Sequence, residues 1–261
     1  MTKAPEHHIS KDGSSTLYSS QFGQFYHNPN GAVSESKHIF FETSGLIKAL
    51  EPDTESLTIF EVGFGTGLNF FLLIDQYLSK KLSFPIHFYS VEAFPIDSDT
   101  AKLFNFENFL ASDLVRESVS KVFSGLKPGM NTITPVEGED INLHLFYGPF
   151  EELDSIEHKA DFIFHDPFSP EVNKELWTVD TFAKLKSFSI TDTVLATYCA
   201  ASKARASMAA AGWFISKAPG ALGKREMTLA SLNAEKLSSF KRVNEQRLIE
   251  RLNEGAFFTD S

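Results

Sequence analysis

The chain has 261 residues, enough for one domain or for one domain with additions. Its formal charge of −10 argues against broad non-specific binding to nucleic acid, which depends on lysine and arginine neutralising phosphates, although a local basic patch remains compatible with it. A single cysteine, Cys199, excludes a disulfide framework and a multi-cysteine zinc site; the histidines have no metal-like spacing and no run of about 18 apolar residues offers a membrane span, so no metal site, no membrane and a cytoplasmic location are expected.

Residues 1–15 are polar, with His7 and His8 adjacent, and read as a flexible tail. Leu17, Tyr18, Phe22, Phe25 and Tyr26 suggest short strands, closed by the turn Asn28-Pro29-Asn30-Gly31. Residues 36–50 read as mixed strand or helix, so 16–56 form an N-terminal cap segment ahead of the core. A strand over 57–62 runs into glycines at 63, 65 and 67, and Leu68, Phe71 and Leu72 then open a helix over 67–79. A second strand over 84–91 ends at Glu92. Residues 96–128 read as a helical insertion closed by Pro128-Gly129. Strands follow over 141–147 and 160–165, then a helix over 173–186, a strand over 193–198 and a helix over 201–211. Segments 213–217 and 227–232 pair as a closing hairpin, and Leu237, Phe240, Leu248 and Leu252 predict one helix over 233–253. Alternating strands and helices predict a doubly wound α/β fold over 57–232, with a C-terminal helix and tail over 233–261 and an interior rich in its 26 phenylalanines. Cys199 reads as a small core residue.

Two loops carry chemistry. Glycines between a buried strand and a helix let the backbone take positive φ and let a ligand approach the main chain. The pattern Gly63-Phe64-Gly65-Thr66-Gly67 is neither the dinucleotide fingerprint nor a P-loop. Glu61 precedes it by two residues and Asn69 follows it. Glu92, at the tip of the next strand, can accept hydrogen bonds from both ribose hydroxyls. From these residues alone, a tight turn without ligand, a hydride-transfer cofactor and a surface glutamate remain alternatives. Asp166-Pro167-Phe168 ends a strand on the same sheet edge. Methyl transfer to an amine needs the neutral amine in line with the methyl carbon, and an acceptor that fixes its lone pair and stabilises the developing ammonium. Asp166 and Phe168 could supply this; an Asx turn stiffened by two prolines is the other reading.

The glycine loop resembles the first loop of S-adenosylmethionine (SAM) methyltransferases, and Asp166-Pro167-Phe168 resembles the D-P-P-Y loop of amino-group methyltransferases. Several segments together resemble one family. They are Gln21-Phe22, Tyr26 and Asn30-Gly31; Gly63 to Phe70; Glu92 with Phe94-Pro95; Asp166, Phe168, Pro170, Trp177 and Phe182; Ala196-Thr197-Tyr198; and Gly223-Lys224-Arg225-Glu226-Met227. The family is the methyltransferase domain of the tRNA 5-methylaminomethyl-2-thiouridine biosynthesis enzyme, in bifunctional and stand-alone forms. The resemblance implies a class I SAM-methyltransferase-like sheet and N-methylation of the 5-aminomethyl group at the tRNA wobble position. It implies SAM as cofactor, held by Glu61, Gly63, Phe64, Gly65, Thr66, Gly67, Asn69 and Glu92, and Asp166 with Phe168 as the catalytic pair. Tyr26, Asn30, Gly31, Trp177, Lys224 and Arg225 are then expected to bind substrate, tRNA is the expected partner, and a separate FAD-dependent oxidase would act upstream. Gly148-Pro149 departs from the family's Gly-Asp near the adenine. Methylation of another amine, or a non-catalytic SAM-binding module, are the alternative functions.

Overall fold

The computed structural model describes residues 4–257. Its N-terminal part is a three-stranded antiparallel sheet, β1 (Glu6–Ile9), β2 (Ser15–Ser19) and β3 (Gln24–Phe25). Residues 4–15, expected as a flexible tail, are therefore ordered; residues 1–3 and 258–261 lie outside the described residues. The reason is Asp12. Its Oδ1 accepts hydrogen bonds from Ser10 and Ser14, and its Oδ2 from the Ser34 amide and hydroxyl. Burial alone would raise its pKa, but these donors hold it well below the usual carboxylate range. The chain continues through α1 (Ala32–Ser36), a π-helical stretch over Lys37–Thr43, and α2 (Leu46–Ala49).

The core is a nine-stranded sheet. In chain order it is built from β4 (Leu57–Val62), α3 (Leu68–Ser79), β5 (Ile86–Glu92), α4 (Ser98–Ala101), α5 (Asp113–Phe123), β6 (Gly129–Ile133), β7 (Ile141–Tyr147), β8 (Ala160–His165), α6 (Val179–Ser187), β9 (Ser189–Thr197), α7 (Ser202–Ala210), β10 (Phe214–Ala218), β11 (Met227–Ser231), β12 (Lys241–Arg242) and α8 (Glu245–Asn253). The strand order is β12-β10-β11-β9-β8-β4-β5-β7-β6. The five central strands run parallel, and antiparallel strands finish both sides. The chain leaves β4 through α3 to β5 on one side, then returns to β8 on the other, so β4 and β8 flank a topological switch point. This is the doubly wound α/β fold that the alternation predicts.

One sheet face packs Ile59, Phe88 and Phe164 against Phe70 and Phe71 of α3, Val115 and Val122 of α5, and Phe40 of the π-helical stretch. The sequence Leu68-Asn69-Phe70-Phe71-Leu72-Leu73-Ile74 is apolar nearly all round because α1 and α5 both adjoin α3. The other face packs Phe60, Ile163 and Leu195 against Phe182 and Leu185 of α6 and Ala204 and Met208 of α7, with Trp213 beneath. Cys199 belongs to this second core.

Three expectations change. The strand β6 was not foreseen; it pairs only with β7, and Gly-Met-Asn-Thr-Ile shows no apolar face to read. The helix expected over 173–186 is divided at Thr178, whose hydroxyl accepts the Thr181 amide and caps α6 after a 3₁₀ turn over Lys174–Trp177. The single helix expected over 233–253 is likewise interrupted. Asn233 caps a 3₁₀ turn over Ala234–Leu237, β12 pairs with β10, and Asn244 caps α8.

Trp213 is 1 % exposed and its Nε1 donates to the Phe182 carbonyl at 3.0 Å, joining α6 to the sheet. Trp213→Ala should cost about 3–5 kcal/mol, read as a lowered urea midpoint; a change below about 1 kcal/mol would show that this core is not tightly packed.

Candidate functional site

A cavity of about 340 Å³ opens along the carboxyl ends of the parallel strands, where the switch point places it. The turn after β4 contributes Gly63, Phe64 and Gly65, and the start of α3 contributes Leu68 and Asn69. Glu92, Ala93 and Phe94 follow β5; Gly148, Pro149, Phe150 and Glu151 follow β7; Asp166, Pro167 and Phe168 follow β8. From the N-terminal part come Phe22, Tyr26 and His27.

Gly63 is a point of close approach. It has φ +90°, and a Cβ there would lie 2.9 Å from the Asp166 carbonyl oxygen. The Asp166 amide in turn donates to the Val62 carbonyl at 3.0 Å. The two chemical loops are thus pressed together backbone to backbone, which only glycine allows. The Gly65 amide donates to Glu92 Oε2 at 2.9 Å, and the Phe94 amide donates to Glu92 Oε1 at 2.9 Å. Burial raises the Glu92 pKa against these two hydrogen bonds. Each carboxylate oxygen still has a lone pair for a further donor.

Glu61, Asn69 and Asp166 form a buried chain. Asn69 Nδ2 donates to Glu61 Oε1 at 2.9 Å and reaches Asp166 Oδ2 at 3.4 Å. Asn69 Oδ1 is buried without a partner beside the cavity. Glu61 is 1 % exposed, and burial pushes its carboxyl up to about 8 against hydrogen bonds from Asn69 and Ser90. At neutral pH it holds its proton. The Ser90 hydroxyl donates to Glu61 Oε2 at 3.0 Å and also lies 3.3 Å from the Glu61 carbonyl oxygen. Burial also raises Asp166 well above its ordinary value, with Glu61 and Glu35 adding to the effect and Asn69 and Lys224 opposing it. Burial and a single weak donor leave the Asp166 carboxyl poorly satisfied, so a cation or an amine arriving in the cavity favours its charged form.

The residues expected at the site divide into two groups. Tyr26, Gly63, Phe64, Gly65, Asn69, Glu92, Asp166 and Phe168 all line the cavity. Thr66 and Gly67 are in the supporting turn: Thr66 Oγ1 bonds His27 Nε2 at 2.7 Å, and Gly67 leaves room for the Phe64 and Phe71 rings. Glu61 lies behind Asn69 and outside the lining. Trp177, expected to bind substrate, is buried instead; its Nε1 donates to the Phe168 carbonyl at 2.9 Å and supports the loop from behind. Asn30 and Gly31 also stay off the cavity. The Asn30 side chain donates to Asn28 Oδ1, and Gly31 is packed under Asp12 and Leu222. Lys224 is neutralised by Glu35 at 2.8 Å and sits 5.1 Å over the Tyr198 ring. Arg225 is exposed, with no hydrogen bond or ion pair among the described residues.

Residues outside the expected set also hold the site together. His27 is held neutral, its pKa pushed down to about 4 by burial, and ties the cap to the glycine turn. Gln24 grips the Asp166 loop from the other side, exchanging hydrogen bonds with the Ser169 hydroxyl and amide at 2.6 and 3.1 Å. Tyr198 donates to the Pro167 carbonyl at 2.8 Å.

A carboxyl group whose folded pKa is raised stabilises the fold fully below its ordinary pKa, and that contribution fades as pH rises through the folded value. For Glu61 the window runs from 4.5 to about 8. Glu61→Gln keeps the shape and the neutral acceptor. Its stability should therefore gain on that of the wild type as pH rises across this window, measured by urea unfolding at each pH. Parallel profiles would show that Glu61 is not held protonated.

Residues 112–233 match a family model described as an S-adenosyl-L-methionine-dependent methyltransferase. The chain is 35% identical over 216 residues to the tRNA 5-methylaminomethyl-2-thiouridine biosynthesis bifunctional protein MnmC of Leptospira borgpetersenii, covering 81% of this chain and 33% of that protein. It is 32% identical over 212 residues to the protein of the same name from Delftia acidovorans, covering 80% of this chain and 32% of that one. The chain thus spans about one third of the length of the curated relatives it matches. The crystal structure of MNMC2 from Aquifex aeolicus superposes with a TM-score of 0.72 at 25% identity, covering 96% of this chain and 76% of the other.

Proposed function

We propose that this chain, an S-adenosylmethionine-dependent methyltransferase by its family match and its fold, methylates the 5-aminomethyl group of 2-thiouridine at the wobble position of tRNA. The observation that carries the reading is the Asp166 carboxyl beside the glycine turn, facing a cavity in which an arriving amine would find it as an acceptor. The relatives' name supports the substrate: 5-methylaminomethyl-2-thiouridine differs from the aminomethyl nucleoside by one methyl group on nitrogen.

The lining fits the cofactor. A cavity of about 340 Å³ is within the range of small-molecule sites. Glu92 would hold the ribose hydroxyls on its free lone pairs, and the 63–67 turn would wrap the chain next to the sulfur. The orphaned Asn69 Oδ1 would accept from the α-ammonium. The Gly148–Pro149 corner is left for the adenine, where Pro149 offers packing and no amide donor. SAM supplies a methyl group on a positively charged sulfur. Asp166 accepts a hydrogen bond from the incoming amine, aims its lone pair and stabilises the ammonium that forms. Phe168 and Tyr26 keep water away from this corner, and Asn69 holds the Asp166 carboxylate in place.

For the tRNA, Arg225 replaces Lys224 as the expected phosphate contact, since Glu35 already occupies Lys224. We place an FAD-dependent oxidase activity upstream, delivering the aminomethyl nucleoside, and both activities in the cytoplasm. Among the described residues no helix is long and apolar enough to cross a membrane. A second reading, methylation of another amine, is favoured by the net charge of −10 and the neutralised Lys224.

Incubation with labelled SAM and tRNA lacking the modification, followed by nucleoside mass analysis, decides between them. Label in the aminomethyl nucleoside supports the tRNA reading; SAM binding without label in tRNA transfers the case to another amine. Asp166→Asn keeps an acceptor but loses the charge. Its turnover should fall about 10²- to 10⁴-fold while SAM affinity changes by less than about threefold. Equal losses in both would make Asp166 a cofactor ligand.

A further inference from the structure

Three segments far apart in sequence bring aromatic rings together at the mouth of the cavity. Phe22 comes from the turn between β2 and β3, Phe94 from the turn after β5, and Phe168 from the loop after β8. The Phe22 centroid lies 5.4 Å from Phe94 and 4.9 Å from Phe168, and Tyr26 lies 5.1 Å from Phe168. In a chain that buries most of its phenylalanines, Phe94 is 52% exposed. It is also rigidly mounted, because its own amide is tied to Glu92 and the Phe22 ring meets it edge-on. A large apolar ring held open to solvent at the mouth of a polar-floored cavity is a surface awaiting a flat partner.

The order of strand tips narrows what that partner is. Along the sheet edge the tips run β8, β4, β5, β7, carrying Asp166, the glycine turn, Glu92 and the 148–151 corner. A nucleoside with its ribose on Glu92 has the 148–151 corner for its base, which leaves the aromatic group spanning from the Glu92 turn to the Asp166 loop for a second ring. A base inside a stacked anticodon cannot bring its 5-substituent to a recessed carboxylate; it must leave its stack, and aromatic side chains replace the lost stacking.

Building on the tRNA reading of this site, we propose that Phe94, backed by Phe22 and flanked by Phe168, is the stacking platform for the pyrimidine ring of the wobble nucleotide. Stacking of a base on one aromatic side chain is sequence-tolerant and is lost on removing the ring. The exposure of Phe94 means that its replacement leaves the fold intact.

The test uses the full chain with Phe94→Ala, Phe94→Leu and Phe94→Tyr. Phe94→Ala and Phe94→Leu should raise the KM for aminomethyl tRNA about 10- to 100-fold, with SAM affinity by calorimetry within about threefold of wild type, and Phe94→Tyr should restore the KM. An unchanged KM in Phe94→Leu would reduce the ring to an apolar filler, and a loss of SAM affinity in Phe94→Ala would make it a cover for adenine; either result overturns the platform. Binding of an anticodon stem-loop with uridine or an abasic site at the wobble position gives a readout independent of turnover. The wild type should prefer the uridine form about tenfold and Phe94→Ala should not; absence of that preference in the wild type overturns the platform. Failure of the wild type to methylate tRNA would instead remove the tRNA reading, with the stem-loop comparison still deciding whether Phe94 stacks a base.

Discussion

The backbone contact between Gly63 and Asp166 is the constraint on which the site depends. Two parallel strands, β4 and β8, lie side by side, and the chain leaves their tips in opposite directions. The crevice between departing loops exists in any sheet wound this way. In this chain the two loops close to within a carbonyl's width, because Gly63 has no Cβ to hold them apart. The Asp166 backbone is thereby fixed relative to the glycine turn by main-chain geometry, and Asn69 then orients its carboxyl. Trp177, Tyr198 and Gln24 then grip carbonyls, a hydroxyl and an amide of the 166–169 loop from three directions.

Glu92, Glu61 and Asp166 lie at or behind the strand tips of this crevice, and their charges are managed by different means. Glu92 keeps two backbone amides as hydrogen-bond donors. Glu61 is neutral and acts through Asn69. Asp166 faces the cavity with one weak donor, so its ionisation is left to whatever cation arrives. For the proposed reaction, in which an amine meets a sulfonium, a carboxyl poorly satisfied until both are present is an advantage.

Much of this was legible because the informative residues sit where periodicity changes abruptly. Glu61, Gly63, Glu92 and Asp166 each end or follow a buried strand, and the strand order brings such ends together. Direction was harder to read. Trp177 belongs to the right segment but is turned inward toward His165 and Phe182. Lys224 reads as a substrate contact in sequence, and its partner Glu35 is hidden from that reading by 189 residues. His27 gives no local signal, since its role depends on a hydrogen bond to Thr66 across the cap. The edge strand β6 and the ordered β1 were missed for a related reason. One presents no continuous apolar face, and the other is held by the Asp12 hydrogen bonds of its neighbouring turn.

The cap has a consequence for how the molecule comes into being. Gln24 bonds Ser169, Glu35 bonds Lys224, and the His38 ring bonds the Pro219 carbonyl. These contacts join residues 24–38 to residues 169–224. During synthesis residues 24–38 must therefore wait for well over a hundred further residues before they find these partners. Contacts so distant in sequence impose a large loop-closure cost and slow the final step of folding. The mouth of the cavity needs Phe22, Phe94 and Phe168 together, so a growing chain has the residues of its first parallel strands before it has those of a closed site.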